Sequence, residues 1–132
     1  MVGAEQKSIA ISKAWQVVRT HTDSYTGGKV CLSSDESFVV CWCAEKIKLL
    51  DLESGLVRHE FVREDDGFAC FALSPDSTEL ATAQKSGLIR VWSIESGECL
   101  REWRGHDLPI TCVTFDASGT MLATGSVDRS VR

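Results

Sequence analysis

The sequence predicts an all-β chain built from one four-stranded antiparallel unit copied along its length. Shifted by 42 residues, it matches itself: Glu53-Ser54-Gly55 falls on Glu95-Ser96-Gly97, Leu80-Ala81-Thr82 on Leu122-Ala123-Thr124, Cys70 on Cys112 and Arg90 on Arg132. A fixed period of this length marks a supersecondary unit whose copies bury one another's faces. Within each period, short apolar runs are punctuated by turn residues, the pattern of strands rather than helices.

Copy two shows the elements most clearly. Ala69–Leu73 is an apolar run that ends in Ser74-Pro75-Asp76-Ser77, a strong turn signal. Glu79–Ala83 follows, then a turn at Lys85-Ser86-Gly87, a strand at Leu88–Trp92, a turn at Glu95-Ser96-Gly97 and a fourth strand at Cys99–Trp103. Copy one repeats this with strands at Lys29–Leu32, Phe38–Cys43, Lys46–Asp51 and Leu56–Phe61. Copy three supplies Ile110–Phe115, Thr120–Gly125 and the opening of a third strand at Ser130.

Four antiparallel strands in a unit of about 42 residues have the dimensions of a propeller blade. The expected organisation is a lead-in at 1–28, a degenerate first repeat at 29–68, a second at 69–109 and a truncated third at 110–132. The expected fold is therefore the N-terminal fragment of a β-propeller, with about two and a half blades. Such a fragment is expected not to close a ring on its own and to expose an apolar blade face and a strand edge, a liability for aggregation. In the lead-in, Trp15-Gln16-Val17-Val18-Arg19 reads either as a strand that completes the last blade and ties the ring shut, or as a frayed N-terminal arm.

Composition narrows the function classes. The chain is 43% hydrophobic and 25% charged, with 19 acidic against 14 basic residues and a formal net charge of −5. Phosphate-neutralising proteins cluster Lys and Arg on one face. Here the nearest basic cluster is Arg101 and Arg104 around Trp103, flanked by acids, and it reads as a solvated strand edge ahead of an RNA site. The six cysteines include no C-x-x-C pair, so zinc spacing is absent. Cys41-Trp42-Cys43 alternates along a strand, which sends both thiols to one face and Trp42 to the other. Residues 1–13 lack the apolar core of a signal peptide, and no run reaches the roughly 20 apolar residues of a membrane span. These features suggest a reducing compartment with free, mostly buried thiols.

Trp103-Arg104-Gly105-His106, Phe115-Asp116-Ala117-Ser118-Gly119, Leu122-Ala123-Thr124-Gly125-Ser126 and Asp128, with Val91-Trp92 one copy earlier, resemble the WD-repeat signature over residues 29–132. The resemblance implies a polar network inside each blade, made of a His, a Ser or Thr, an Asp and a Trp. By position, His106, Thr124 and Asp128 match three members, and the Trp would fall two residues past Arg132. Copy two keeps Thr82 and Trp92, but Ser86 replaces the Asp, Glu64 stands at the His position and Ser93 at the terminal Asp. Copy one keeps Asp51, while Leu50 replaces the Trp.

A narrower resemblance rests on Tyr25-Thr26-Gly27-Gly28-Lys29 before a Trp-poor first copy, then Leu32–Cys41, Ile47–Asp51, Leu73-Ser74-Pro75-Asp76 and Trp103–His106. These are similar to the N-terminus of the transducin-beta-like WD-repeat subunits of the small-subunit processome. That likeness implies a scaffold in the nucleus and nucleolus, partnered by other WD-repeat subunits, associated indirectly with pre-rRNA and snoRNA, and acting in 40S ribosome biogenesis. The alternative is a WD-repeat adaptor in another pathway, such as a ubiquitin-ligase substrate receptor or a signalling scaffold.

No catalytic, metal or cofactor constellation is expected. His106, Thr124 and Asp128 have the residue types of a hydrolase triad, but the same trio is the structural network of a noncatalytic blade. His59 is expected at the surface, and His21 in a polar lead-in. Glu64-Asp65-Asp66 lacks the alternating oxygen-ligand spacing of a calcium loop and reads as an exposed connection. Trp92 and Trp103 are expected to pack at core and outer-strand positions, and Trp15 is the candidate partner contact.

Overall fold

A computed structural model describes residues 28–62 and 67–132. The expected strand at Trp15–Arg19, the candidate contact Trp15, His21 and the Glu64-Asp65-Asp66 connection all lie outside the described residues.

Ten strands follow in order among the described residues: β1 (Val30–Leu32), β2 (Phe38–Cys43), β3 (Lys46–Asp51), β4 (Val57–Phe61), β5 (Phe68–Leu73), β6 (Glu79–Gln84), β7 (Leu88–Ser93), β8 (Cys99–Arg104), β9 (Ile110–Phe115) and β10 (Leu122–Ser126). They form two four-stranded antiparallel sheets, β1-β2-β3-β4 and β5-β6-β7-β8, and a two-stranded sheet of β9 and β10. Each sheet is thus a local meander, as the repeat requires. The second strand of copy three starts at Leu122, later than the expected Thr120. Asp116 closes the turn first: its backbone N–H donates to Met121 O and its Oδ1 accepts from Met121 N. Beyond β10 the chain enters third-strand register, with a bridge between Gly125 and Val131 and two backbone bonds between Thr124 and Arg132.

One turn design recurs at the first hairpin of every sheet. In copy one, Asp35 Oδ1 accepts from Ser33 Oγ, Ser37 N and Ser37 Oγ, while Ser33 Oγ accepts from Phe38 N. In copy two, Asp76 Oδ1 accepts from Ser74 Oγ, Thr78 N and Thr78 Oγ1, while Ser74 Oγ accepts from Glu79 N. Copy three exchanges the two roles, with Asp116 first and Ser118 third, yet keeps the side-chain bond between them. The hydroxyl at the first position holds the Asp35 carboxyl down to about 2, ahead of the contribution from Ser37. The fourth turn residue sits in the left-handed region, as Glu36 (φ 60°), Ser77 (φ 61°) and Gly119 (φ 74°).

The core lies between sheets. Phe38, Val40, Ile47, Leu49 and Phe61 of the first sheet pack with Phe68, Phe71, Leu80 and Ile94 of the second. Ala72, Ala81, Ala83, Ile89 and Val91 on the second sheet's other face pack with Ile110 and Val113 of the third. The first interface is large against large. The second sets small residues of β5 and β6 against branched residues of β9, so the sheets interdigitate.

Polar contacts also cross the first seam. Lys29 Nζ donates to Phe71 O at 3.0 Å and lies 5.5 Å from the Phe71 ring centroid. Ser34 N donates to Ser77 Oγ at 2.8 Å. The Phe61 and Trp92 rings meet at 5.3 Å, tilted by 57°. His59, expected at the surface, is half-buried, with Nε2 against Glu95 O at 3.1 Å. Gly97 makes that approach possible, since a Cβ there would stand 2.7 Å from His59 Nδ1.

The thiols divide. Cys41 and Cys43 are buried on one face with sulfurs 3.5 Å apart, Cys31 and Cys70 are half-buried, and Cys99 and Cys112 are exposed, so the expectation of mostly buried thiols holds only for copy one's pair. Burial pushes the Cys41 thiol up to about 12.

Gly87 in the β6–β7 turn has φ 85°, and a Cβ there would lie 1.8 Å from the His106 carbonyl oxygen. Gly87→Ala is expected to cost roughly 2–4 kcal/mol, from left-handed strain plus backbone displacement. Urea unfolding of the whole protein carrying this chain, by intrinsic tryptophan fluorescence, checks it.

Candidate functional site

The loop from β8 to β9 brings His106 into the third sheet. Gly105 N and His106 N both donate to Gly87 O, at 2.9 and 3.2 Å, which pins this loop to the preceding sheet's turn. The His106 ring then lies fully buried. Its Nδ1 is 2.8 Å from Asp128 Oδ2, and its Nε2 is 2.9 Å from Thr124 Oγ1. Because a carboxylate only accepts, Nδ1–H donates to Asp128, and Nε2 accepts from the Thr124 hydroxyl. Ser130 Oγ stands 3.2 Å from Nδ1 and donates to Asp128 Oδ1 at 2.6 Å. Ser130 first, and then His106, hold the Asp128 carboxyl well below the usual range.

In copy two, Trp92 Nε1 donates to Thr82 Oγ1 at 2.8 Å. Ser86, at the Asp position, donates to Gln84 Oε1 at 3.4 Å, and Gln84 Nε2 is buried with no partner among the described residues. In copy one the residue in register with Thr82 is Cys41, since Cys41 faces Lys48 as Thr82 faces Arg90. The structure thus brings His106, Thr124 and Asp128 together and pairs Thr82 with Trp92, while copy one holds a thiol pair and Leu50 instead. Sequence reading missed Cys41 in that role. The 42-residue shift hides it, because β2 and β6 align at 41.

The Thr–His–Asp arrangement has the connectivity of a nucleophilic triad. Thr124 is only 3% exposed and His106 0%. Thr124 Oγ1 also stands 3.5 Å from Arg132 O, a second and more distant acceptor for the one proton it carries. The geometry ties three segments together: the β8–β9 loop, β10 and the turn after it. Its chemistry is that of a satisfied buried network.

The terminal Asp position acts within its own hairpin. Asp51 Oδ1 accepts from Glu53 N, Ser54 N and Ser54 Oγ, and its other oxygen pairs with Arg58. Ser93 does a weaker version in copy two, accepting from Ser96 N at 3.2 Å. Cross-strand ion pairs repeat as well: Lys48 with Glu60, and 42 residues on, Arg90 with Glu102.

Comparison with known proteins agrees with this architecture. The family model described as WD domain, G-beta repeat, matches residues 56–93 and 97–132. Each match begins on or just before the outer strand of one sheet and runs into the inner strands of the next. The chain therefore belongs to the WD-repeat family, with the β-propeller architecture of its structural neighbours. It is 36% identical over 110 residues to transducin beta-like protein 3 of Bos taurus, across 82% of this chain and 14% of that protein. The solved structures "Structure of U3-55K" and "Crystal structure of RRP9 WD40 repeats" superpose with a TM-score of 0.69 at 28% identity, across 77% of this chain and 33% of theirs. The chain thus spans about one seventh of the length of the curated relatives it matches.

The Asp128 carboxyl makes a signed prediction. Because its folded pKa is depressed, its stabilisation is full above the ordinary carboxylate range and is lost as pH falls from about 4 through the folded value. Asp128→Asn is expected to destabilise the protein at neutral pH and to flatten the acid limb of the unfolding midpoint below pH of about 4. Thermal melts of both proteins across that range check it.

Proposed function

We propose that this chain is part of a non-catalytic protein-interaction scaffold, a subunit of the nucleolar small-subunit processome acting in pre-rRNA processing and 40S ribosome biogenesis. The observation that carries the reading is the similarity to transducin beta-like protein 3 over 110 residues, which agrees with the resemblance of the lead-in and Trp-poor first copy to that family. The buried network supports it, since His106, Thr124 and Asp128, with Thr82 and Trp92, serve to hold the blades rigid. A rigid scaffold presents its turns and outer strands to partners without ordering cost on binding.

In this reading the partners are other WD-repeat subunits, and pre-rRNA and snoRNA are reached through them. Two outer-strand charges favour protein contacts over RNA, because Arg101 pairs with Glu79 of β6 and Glu102 with Arg90 of β7. The network residues keep a structural role, and Trp15 is kept as a partner contact.

The test is affinity purification of the tagged full-length protein, with mass spectrometry and RNA sequencing of what is retained. Co-purification of WD-repeat processome subunits with ribosomal precursor RNA, and nucleolar fluorescence of the same tag, are expected. Recovery of a ubiquitin ligase or a signalling complex without ribosomal precursors would contradict the assignment while leaving the fold untouched.

A further inference from the structure

Antiparallel connectivity sorts the loops onto two ends. The β1–β2, β3–β4, β5–β6, β7–β8 and β9–β10 turns share one end, and the β2–β3 and β6–β7 turns and the β8–β9 loop share the other. Contacts across the seams confirm the alignment: Ser34 meets Ser77, and Gly119 lies against Pro75.

The turns at the first end carry a single sign of charge. Its five turns hold Asp35 and Glu36, then Glu53, Asp76, Glu95 and Glu98, and Asp116, with no lysine, arginine or histidine in any of them. The opposite end mixes signs, with Glu45, Lys85, Asp107 and Arg129. Among the described residues, seven carboxylates thus gather in the turns of one end.

A cleft of about 380 Å³ opens at that acidic end, between the first and second sheets. Its lining includes the buried apolar side chains Phe38 and Ile94 and the carboxylates of Asp35 and Glu95. In its turn Asp35 uses Oδ1 alone, so no described hydrogen bond occupies Oδ2. The Glu95 side chain is exposed and has no ion pair or hydrogen bond among the described residues. Two basic side chains share the lining: Arg58, held by Asp51 and 5.9 Å from the Phe38 ring centroid, and His59. Apolar surface beside the open Oδ2 of Asp35 and the unpaired carboxylate of Glu95 suits a side chain with an aliphatic stem and a cationic head.

We infer that this end of the sheets docks a lysine- and arginine-rich segment of a partner protein, with one basic side chain seated in the cleft between the first two sheets. The inference rests on the scaffold reading and deepens it by naming the chemistry of the partner. One-signed turns steer a cationic segment from a distance, and the cleft fixes its register. A phosphate backbone meets repulsion at the same end.

The experiment is a fluorescence anisotropy titration of the full-length protein with a labelled peptide of alternating lysine and serine. Saturable binding that weakens as salt rises is expected. Glu95→Lys is expected to weaken it about tenfold, and Glu45→Lys, at the opposite end, to leave it within about twofold. Glu95→Gln, which removes a charge without adding one, should weaken it less and leave the melting temperature unchanged. Absence of saturable binding, equal weakening by Glu95→Lys and Glu45→Lys, or displacement of the peptide by single-stranded RNA each overturns the inference. Loss of peptide binding with processome co-purification intact sinks the docking site alone. Peptide binding without that co-purification sinks the assembly instead.

Discussion

Face-to-face burial between neighbouring sheets is the constraint on which everything else in this chain depends. A four-stranded sheet one layer thick cannot bury both its faces by itself. Phe61 and Phe71, buried to 2% and 0% exposure, belong to different sheets yet share one cluster. Ala81 and Ile110 do the same across the next seam. The hairpins fold locally, but their stability is settled between copies, as the nearest-neighbour logic of repeat proteins requires.

Given that packing, the polar groups fall into two tasks. Ser–Asp pairs in the first-hairpin turns fix where each strand pair begins, and they survive even when copy three swaps the two residues. The buried network ties the far end of the third sheet, and it fades toward the N-terminus. Copy three has the complete His–Thr–Asp chain, copy two a Thr–Trp pair and copy one two thiols. Where the network is thin, the first seam has other ties: Lys29 to Phe71, Ser34 to Ser77 and His59 to Glu95. A buried polar link can be dispensed with where apolar packing is strong, because an apolar pair of the same shape leaves nothing unsatisfied.

Period, turn chemistry and alternation made the strands legible, with most boundaries within one residue of those in the structure. The two-residue error at Thr120 arose because a turn residue that hydrogen-bonds as a cap looks like a strand former in isolation. The partners of His106 were legible through the family motif. The seam contacts were not. Lys29, Ser34 and His59 have polar side chains in polar surroundings, and only the stacking of one copy on the next shows what they touch. The gathering of carboxylates at one end was equally hidden. It emerges only once connectivity decides which turns are neighbours.

The most direct measurement of the central claim is a double-mutant cycle across the first seam. Phe61 and Trp92 meet only because the first two sheets pack, at 5.3 Å between ring centroids. Phe61→Leu, Trp92→Phe and the double variant, made in the full-length protein and unfolded in urea, should show a coupling of about 1 kcal/mol. Additive effects within about 0.3 kcal/mol would mean that the two sheets do not support one another. That result would contradict the account of a chain stabilised between its copies.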